Sequence, residues 1–178
     1  HADFTNAPIF YISGGVSNTL DFAGITFPAP LTQIYCWSGF GHRIAISDGS
    51  RIDFPGAFSP FHSSTYNSLF EVTGGSIFAR TNDNTRTSTG EGSSCSGNTF
   101  RIAGTGSTFI YDGYVYVGNV DASATFLIEE GGQLVHSGRN SGTVYVSQTG
   151  TTNNSFVVRK KGLVKSNGLH LGTGARAC

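Results

Sequence analysis

Acidic side chains are one set of candidates for catalysis or metal binding in this 178-residue chain. An enzyme of the pectate-lyase type needs carboxylates clustered on one outward face to hold Ca²⁺, with a basic residue as general base. The acids here are scattered, and only Asp48 and Glu130 are placed to approach each other, at one corner of a repeat. We interpret the acids as turn and surface residues; besides Asp3 near the N-terminus they are Asp21, Asp48, Asp53, Glu71, Asp83, Glu91, Asp112, Asp121, Glu129 and Glu130.

Histidines suggest a second chemistry, oxidation at copper. The N-terminal His1 with a second histidine would form a copper brace, as in lytic polysaccharide monooxygenases, because imidazole suits copper. The rest of the chain does not resemble those enzymes, and it lacks Gly-x-Ser-x-Gly, Cys-x-x-Cys and P-loop motifs. We therefore expect no enzyme activity, catalytic residue, metal site or cofactor. The alternative is a polysaccharide-active enzyme, either lyase-like or a copper monooxygenase. His136 and His170 are expected to be outward strand residues.

The elements that would position these side chains repeat along the chain. One pattern recurs six times at intervals of 24 to 30 residues: two apolar residues separated by one variable residue, followed by a glycine turn. Side chains of a strand alternate between its two faces, so both apolar positions face the same side. The first of each pair, here called the anchors, are Leu20, Ile44, Phe70, Phe100, Phe126 and Phe156.

A repeat of this length predicts a solenoid. One coil cannot bury its own apolar face, but stacked coils pair their strands in parallel and align the anchors in an internal core column. The sequence thus predicts an all-β parallel β-helix of about six coils. A β-sandwich or jelly roll is the alternative, because it also has many short strands. Further residues are predicted to face inward: Ile25, Ile52, Ile77, Phe109, Leu134, Leu163, Leu169 and Leu171.

The composition favours this fold class and argues against several partners. Charged residues make up only 12% of the chain, against about 25% in average proteins, and no window shows a helical apolar period. With 11 basic and 11 acidic residues the net charge is zero, and the basic cluster at 159–161 is too small for a nucleic-acid footprint. No apolar run approaches about 18 residues, so no membrane span is expected.

The whole chain, 1–178, is predicted to form a single solenoid domain. Residues 1–16 make an N-terminal lead-in with a partial coil, 17–172 make the repeats, and 173–178 make a tail. The segment 81–96 has no apolar residue except Cys95, which predicts a polar loop that protrudes from the solenoid and is dispensable for folding.

The last three repeats carry a family resemblance. The segments NTFRIAGTGSTF…VYVG, SATFLIEEGGQLV…VYVS and NNSFVVRKKGLV…LHLG resemble the coils of autotransporter-type passenger domains and related bacterial surface β-helix repeat proteins. The resemblance extends over roughly residues 17–172 and is best over 97–172. It implies a right-handed parallel β-helix on the outside of a cell, with a structural or adhesive role.

The two ends of the predicted solenoid suggest self-assembly. The chain opens on a strand-like segment with Phe10 and Ile12 and closes on one with Leu169 and Leu171, and no amphipathic helix or charged cap covers either end. Uncovered parallel edges invite pairing with another chain, and an end-to-end contact that does not close gives an open filament. The alternative is that these residues are a segment of a longer solenoid whose other coils cap the ends. Cys178, at the closing end, is expected to be free or bonded to a neighbouring chain.

These features favour a structural protein, the subunit of a surface filament, sheath or adhesin assembled from copies of itself. The alternative is a carbohydrate- or surface-binding module. Tyr116 and Tyr145 occupy the same outward position in successive coils and, with Tyr114, would offer rings to an extracellular or cell-surface polysaccharide. The start HADFTNAPIF is typical of a mature secreted protein, so we expect a secreted or cell-surface location.

Overall fold

The described part of the chain is an all-β parallel solenoid of about six turns, which confirms the predicted fold class. A computed structural model describes residues 9–27, 29–80, 86–90, 95–119, 123–147, 151–172 and 176–177. Within these ranges every strand pair is parallel and there is no helix. Parallel pairing from coil to coil excludes the sandwich alternative.

The strands are short and form four sheets over the described ranges. The strands are β1 (Ile9–Val16), β2 (Thr19–Ala23), β3 (Gln33–Phe40), β4 (Arg43–Ser47), β5 (Arg51–Phe54), β6 (Phe61–Tyr66), β7 (Leu69–Val72), β8 (Ile77–Arg80), β9 (Arg86–Ser88), β10 (Thr99–Ala103), β11 (Thr108–Tyr111), β12 (Tyr114–Val117), β13 (Thr125–Glu129), β14 (Gln133–His136), β15 (Thr143–Val146), β16 (Ser155–Val158), β17 (Leu163–Lys165), β18 (Gly168–Leu171) and β19 (Arg176–Ala177). Sheet I contains β2, β4, β7, β10, β13, β16 and β19, and sheet II contains β5, β8, β11, β14 and β17. Sheet III contains β9, β12, β15 and β18, and sheet IV contains β1, β3 and β6. Sheets III and IV both precede sheet I along the chain, sheet IV in the N-terminal coils and sheet III in the later ones.

The anchors form the central column of sheet I. The consecutive register partners are Leu20, Ile44, Phe70, Phe100, Phe126 and Phe156. From Ile44 onward each is at most 4% exposed, whereas Leu20 at the N-terminal end is partly buried. The rings of Phe100 and Phe126 stack with their centroids 4.6 Å apart. Burying one such side chain contributes about 1.5–3 kcal/mol, so the column is a main source of stability.

A second inward column runs through sheet II, and here two predictions were wrong. The column consists of Ile52, Phe78, Phe109, Leu134 and Val164. Ile77 and Leu163, which were predicted to face inward, lie one residue earlier and face outward, and Leu163 is 40% exposed. Because side chains alternate with period two, a shift of one residue moves a side chain to the opposite face.

Side-chain amides tie neighbouring coils together at the corner that precedes sheet I. The backbone N–H of Ser68 donates to Asn98 Oδ1 at 2.9 Å, and the N–H of Ala124 donates to Asn154 Oδ1 at 2.8 Å. Both asparagines are fully buried. A buried backbone N–H needs an acceptor, so each amide satisfies a corner that the sheet hydrogen bonds cannot reach.

The polar segment 81–96 is not simply a protruding loop, contrary to the prediction. Residues 81–85 and 91–94 lie outside the described residues, but β9 pairs with β12 in sheet III. Thr87 is fully buried and accepts a hydrogen bond of 2.7 Å from Nη1 of Arg80, which is also fully buried. Part of the segment therefore belongs to the solenoid wall, and its inward residue is a hydroxyl rather than an apolar side chain.

The predicted tail, 173–178, also contains part of the solenoid. Strand β19 pairs with β16, and Ala177 is the register partner of Phe156. The anchor position of a further coil thus falls within the tail.

Candidate functional site

A cluster of aromatic rings lies on the outer face of sheet IV. Tyr11 and Tyr35 stack with ring centroids 5.7 Å apart, and Trp37 and His62 stack at 5.9 Å. The two pairs adjoin, because the Tyr35 ring lies 5.0 Å from that of His62. Tyr11 is 60% exposed and Trp37 is 48% exposed. We call these four side chains the aromatic platform.

Strand alternation and one irregularity place these rings together. Ile34 and Cys36 are buried, so Tyr35 and Trp37 on the same strand face outward. Cys36 pairs with Phe61 but Ser38 pairs with Ser64, so two residues of β6 oppose Trp37 alone, as in a β-bulge. The bulge sets His62 beside both Tyr35 and Trp37.

A pocket of about 180 Å³ opens beside the aromatic platform. Its lining residues are Gln33, Ile34, Tyr35, Phe54, Ala57, Phe58, Ser59 and His62. The platform thus adjoins a concave surface that carries an amide, a hydroxyl and an imidazole.

This arrangement suits a ligand with an apolar face and polar edges. Aromatic side chains offer large rigid contact areas, and ligand pockets combine them with a few polar groups that fix orientation. A sugar ring presents C–H groups on its flat faces and hydroxyls around its rim. Stacked rings could therefore hold the face while the pocket's polar groups bind the hydroxyls.

The tyrosines expected to form a binding surface lie together elsewhere, on the outer face of sheet III. Tyr116 and Tyr145 are register partners with ring centroids 5.3 Å apart, and Tyr114 lies 6.0 Å from Tyr116. His170, which faces outward as expected, stacks on Tyr145 at 4.9 Å. The three tyrosines are partly buried by one another, so they offer less open surface than Tyr11.

Alternating charges run along the outer face of sheet I, a feature that the spacing of the acids did not predict. The ladder consists of Asp21, Arg43, Glu71, Arg101, Glu129 and Arg159, with successive contacts of 2.7 to 3.3 Å. The side chains of Glu71 and Glu129 are only 7% and 5% exposed and Asp112 is fully buried, so the assignment of these three as surface acids was wrong. Burial acts to raise the pKa of Glu129, but hydrogen bonds from Arg101 and Arg159 outweigh it and leave the pKa below its ordinary value.

The remaining acids do not assemble a metal or lyase site in the part of the chain that the structure describes. No group of three or more His, Cys, Asp or Glu side chains suited to a metal occurs there. Asp48 and Glu130 follow strands of sheet I that are three coils apart, and Glu130 pairs with Lys160 at 3.2 Å, so they do not act as a pair. His1, Asp83, Glu91 and Asp121 lie outside the described residues.

His136 faces inward, contrary to the prediction. It follows the buried Leu134 by two residues and therefore shares its face, and its register partner Tyr111 is fully buried. The two rings lie 5.4 Å apart. His136 Nε2 is buried and has no hydrogen-bond partner among the described residues.

Two of the three cysteines lie in the described part of the chain. Cys36 and Cys95 are both buried, and burial raises the pKa of Cys36 to about 12. The thiol of Cys95 donates a hydrogen bond of 3.1 Å to the carbonyl oxygen of Ser63. Cys178 lies outside the described residues.

The predicted assembly residues lie on edge strands at opposite ends of the coil stack. Phe10 and Ile12 belong to the edge strand of sheet IV, where Ile12 is buried and Phe10 packs against the ring of Phe22 at 5.1 Å. Leu169 and Leu171 belong to the edge strand of sheet III, where they are 47% and 54% exposed. Their positions are inward by register, but no described coil covers them.

Two further findings bear on relationships. In the described residues no helix is both long and apolar enough to cross a membrane. Comparison of the chain with protein-family models, with curated proteins and with solved structures finds no significant match.

Proposed function

We propose that this chain is an extracellular β-solenoid module that binds polysaccharide through the aromatic platform. The observation that carries the proposal is the exposure of Tyr11 and Trp37 at 60% and 48% within a cluster of four adjoining rings. Clustered exposed aromatic surface is uncommon on soluble proteins and marks interaction sites.

The strand that carries the aromatic platform is rigid, so ligand binding should cost little side-chain conformational entropy. Tyr35 and Trp37 stand on one strand whose inward residues, Ile34 and Cys36, are fully packed in the core. A tyrosine or tryptophan on a fixed strand loses few degrees of freedom when a ligand stacks on it, and preorganised contacts contribute more net affinity. Tyr11 and Tyr35 are also register partners on neighbouring coils, so two rings of the platform follow each other along the stacking direction.

Trp37 provides a direct test, because it is the single tryptophan of the chain. Stacking of a sugar on Trp37 should change its fluorescence emission during titration with soluble polysaccharides. We expect Trp37→Ala, measured by isothermal titration calorimetry, to lose tenfold or more in affinity, about 1.4 kcal/mol. Tyr116→Ala, an aromatic truncation on sheet III, is the matched control and should bind normally.

The proposal fails if no member of a broad panel of plant, fungal and bacterial polysaccharides changes the emission of Trp37. It also fails if Trp37→Ala and Tyr116→Ala weaken binding equally. If only Tyr116→Ala weakens binding, the site lies on sheet III and the aromatic platform has no part in it.

A second candidate is the structural role, a subunit of a surface filament, sheath or adhesin that stacks end to end. The exposed end of the last described coil favours it. A cavity of about 350 Å³ opens there, lined by Val144, Phe156, Val158, Val164, Ser166, Gly168 and Leu169. Apolar core surface at a coil end is normally covered by a cap or by another coil. The resemblance of residues 97–172 to bacterial surface β-helix proteins supports the same location outside the cell.

A further inference from the structure

We infer that a pocket at the corner between sheets II and III is a second binding site and that it takes a single acidic sugar residue, one that carries a carboxylate beside hydroxyls. The pocket has a volume of about 250 Å³ and is lined by Arg51, Ala79, Arg80, Ile110, Asp112, Ser137 and Arg139. None of these residues lines the pocket beside the aromatic platform, so the inference stands apart from the proposed function.

The floor and walls of this corner pocket come from four successive coils. Ala79 and Ile110 are register partners on the outer face of sheet II and give a flat apolar floor. Asp112 directly follows β11, and Ser137 and Arg139 follow β14, so polar groups rise where the sheet ends. A flat apolar floor with polar groups along one side matches the shape of a sugar ring. The volume lies below the roughly 300–1,000 Å³ of drug-sized pockets, which suits one ring.

One carboxylate oxygen of Asp112 accepts no hydrogen bond within the described chain. The residue is fully buried, and its Oδ1 accepts a hydrogen bond of 2.9 Å from Asn140. Its Oδ2 is buried too, yet it accepts no hydrogen bond from any residue in the described ranges. An unsatisfied buried carboxylate oxygen is costly, and such a group in a native structure calls for an explanation. A ligand hydroxyl that donates to Oδ2 would remove the cost.

Among the described residues that line the pocket, one arginine remains available to bind an anionic group. Arg51 pairs with Asp53 at 3.0 Å. Arg80 is fully buried, and burial lowers its pKa to about 10 against the opposing effect of the nearby Asp112 charge. Arg139 is exposed and forms no ion pair in the described part of the chain. The guanidinium of Arg139 is therefore free to take a carboxylate in the forked geometry that arginine favours.

The two requirements together specify the ligand class. Asp112 Oδ2 needs a hydroxyl donor, and Arg139 needs an anionic acceptor. A uronic acid carries both groups on one ring, whereas a neutral sugar lacks the anion and a simple anion lacks the hydroxyl. A small hydroxy acid such as lactate carries both groups without a ring, and the experiment must separate it from the sugar.

Calorimetric titration of the full chain with glucuronate, glucose and lactate tests the inference. We expect glucuronate to bind tightest of the three, and Arg139→Ala to weaken it about tenfold or more. Lys161→Ala removes the same charge at an exposed turn outside the pocket and should leave glucuronate binding unchanged. Asp112→Asn, which exchanges the Oδ2 acceptor for a donor, should weaken glucuronate as Arg139→Ala does.

Three results would overturn the inference: glucose binding as tightly as glucuronate, lactate binding as tightly as glucuronate, or equal losses in Arg139→Ala and Lys161→Ala. Arg139 makes no contact that folding needs in the described chain, so its variant remains informative if Asp112→Asn fails to fold. Repeating the titration with Trp37→Ala separates the two sites. Glucuronate binding should survive in that variant even if the aromatic platform binds nothing.

Discussion

Glu129 shows how single side chains in this protein are stabilised by residues from the next coil. Its carboxylate accepts hydrogen bonds of 2.9 Å from Nε of Arg101 and from Nε of Arg159, which belong to the coils on either side. Arg101 thus links Glu129 to Glu71, whereas Arg159 is the last residue of the ladder. Together the two arginines keep the Glu129 carboxylate ionised, although burial disfavours its charge.

The lowered pKa of Glu129 predicts a loss of stability in acid. Because its folded-state pKa lies below the ordinary value of 4.5, the stabilisation is present above that value and is lost as the pH falls through the folded-state pKa. Glu129→Gln should lower the free energy of unfolding near neutral pH by about 1–2 kcal/mol, since one arginine partner is more than half exposed. Urea denaturation between pH 7 and pH 3 should then show a shallower acid dependence than the parent chain.

The control for this prediction is Glu130→Gln, next in sequence, whose side chain is 47% exposed. Its free energy of unfolding at neutral pH should stay within about 0.5 kcal/mol of the parent's, because exposed ion pairs contribute little. If Glu129→Gln and the parent lose stability in parallel below pH 5, the ladder does not set the acid sensitivity.

The thiol of Cys36 should be inert in the folded protein. Burial raises its pKa to about 12, so almost no thiolate forms at neutral pH, and the side chain has no solvent exposure. In a background that carries both Cys95→Ser and Cys178→Ser, a thiol-reactive dye should label Cys36 only after denaturation in urea. Labelling of the native protein at the same rate as in urea would show that this strand opens readily.

At the scale of elements, the anchor column of sheet I carries the stability. Phe100 is fully buried between the register partners Phe70 and Phe126. We expect Phe100→Ala to reduce the free energy of unfolding by about 3–5 kcal/mol, as in other truncations of large core residues. The urea midpoint measures this. Leu127→Ala, on the outer face of β13, is the matched control and should cost less than half as much.

We expect a buried hydroxyl of strand β9 to contribute to stability, although its segment is polar in composition. Thr87→Val keeps the volume but removes the hydroxyl that accepts from the buried Arg80 at 2.7 Å. The expected loss is about 1–3 kcal/mol, because a buried charged donor then lacks that acceptor. Thr143→Val, where the hydroxyl is exposed, should have little effect. Equal urea midpoints for Thr87→Val and the parent would show that β9 is not part of the core.

At the scale of the whole molecule, the open coil end predicts self-association if the structural role is correct. Leu171→Glu places a charge on the exposed apolar end, which should abolish rods longer than one subunit in sedimentation and electron microscopy. Leu163→Glu changes a leucine of the same coil on the outer face of sheet II, and it should leave the rods intact. A parent chain that stays monomeric at high concentration in non-reducing buffer would contradict end-to-end stacking.

The amino-acid sequence by itself determined the solenoid and the register of sheet I. Strand alternation has period two and coil stacking brings the same position of each repeat into contact, so six anchors at intervals of 24 to 30 residues suffice to define the column. The same logic correctly brought Tyr116 and Tyr145 together. It failed at Ile77 and Leu163, where two adjacent apolar residues left the inward face ambiguous.

Only the tertiary structure decided the candidate sites, because their residues follow no repeat. Trp37 and His62 meet through a bulge that breaks the register between β3 and β6, and no spacing rule anticipates such an insertion. Asp112 and Arg139 line one pocket at the corner between sheets II and III, and the carboxylate of Glu129 is held by arginines from two other coils. Repeat patterns specify what every coil shares, whereas binding surfaces arise where one coil differs from its neighbours.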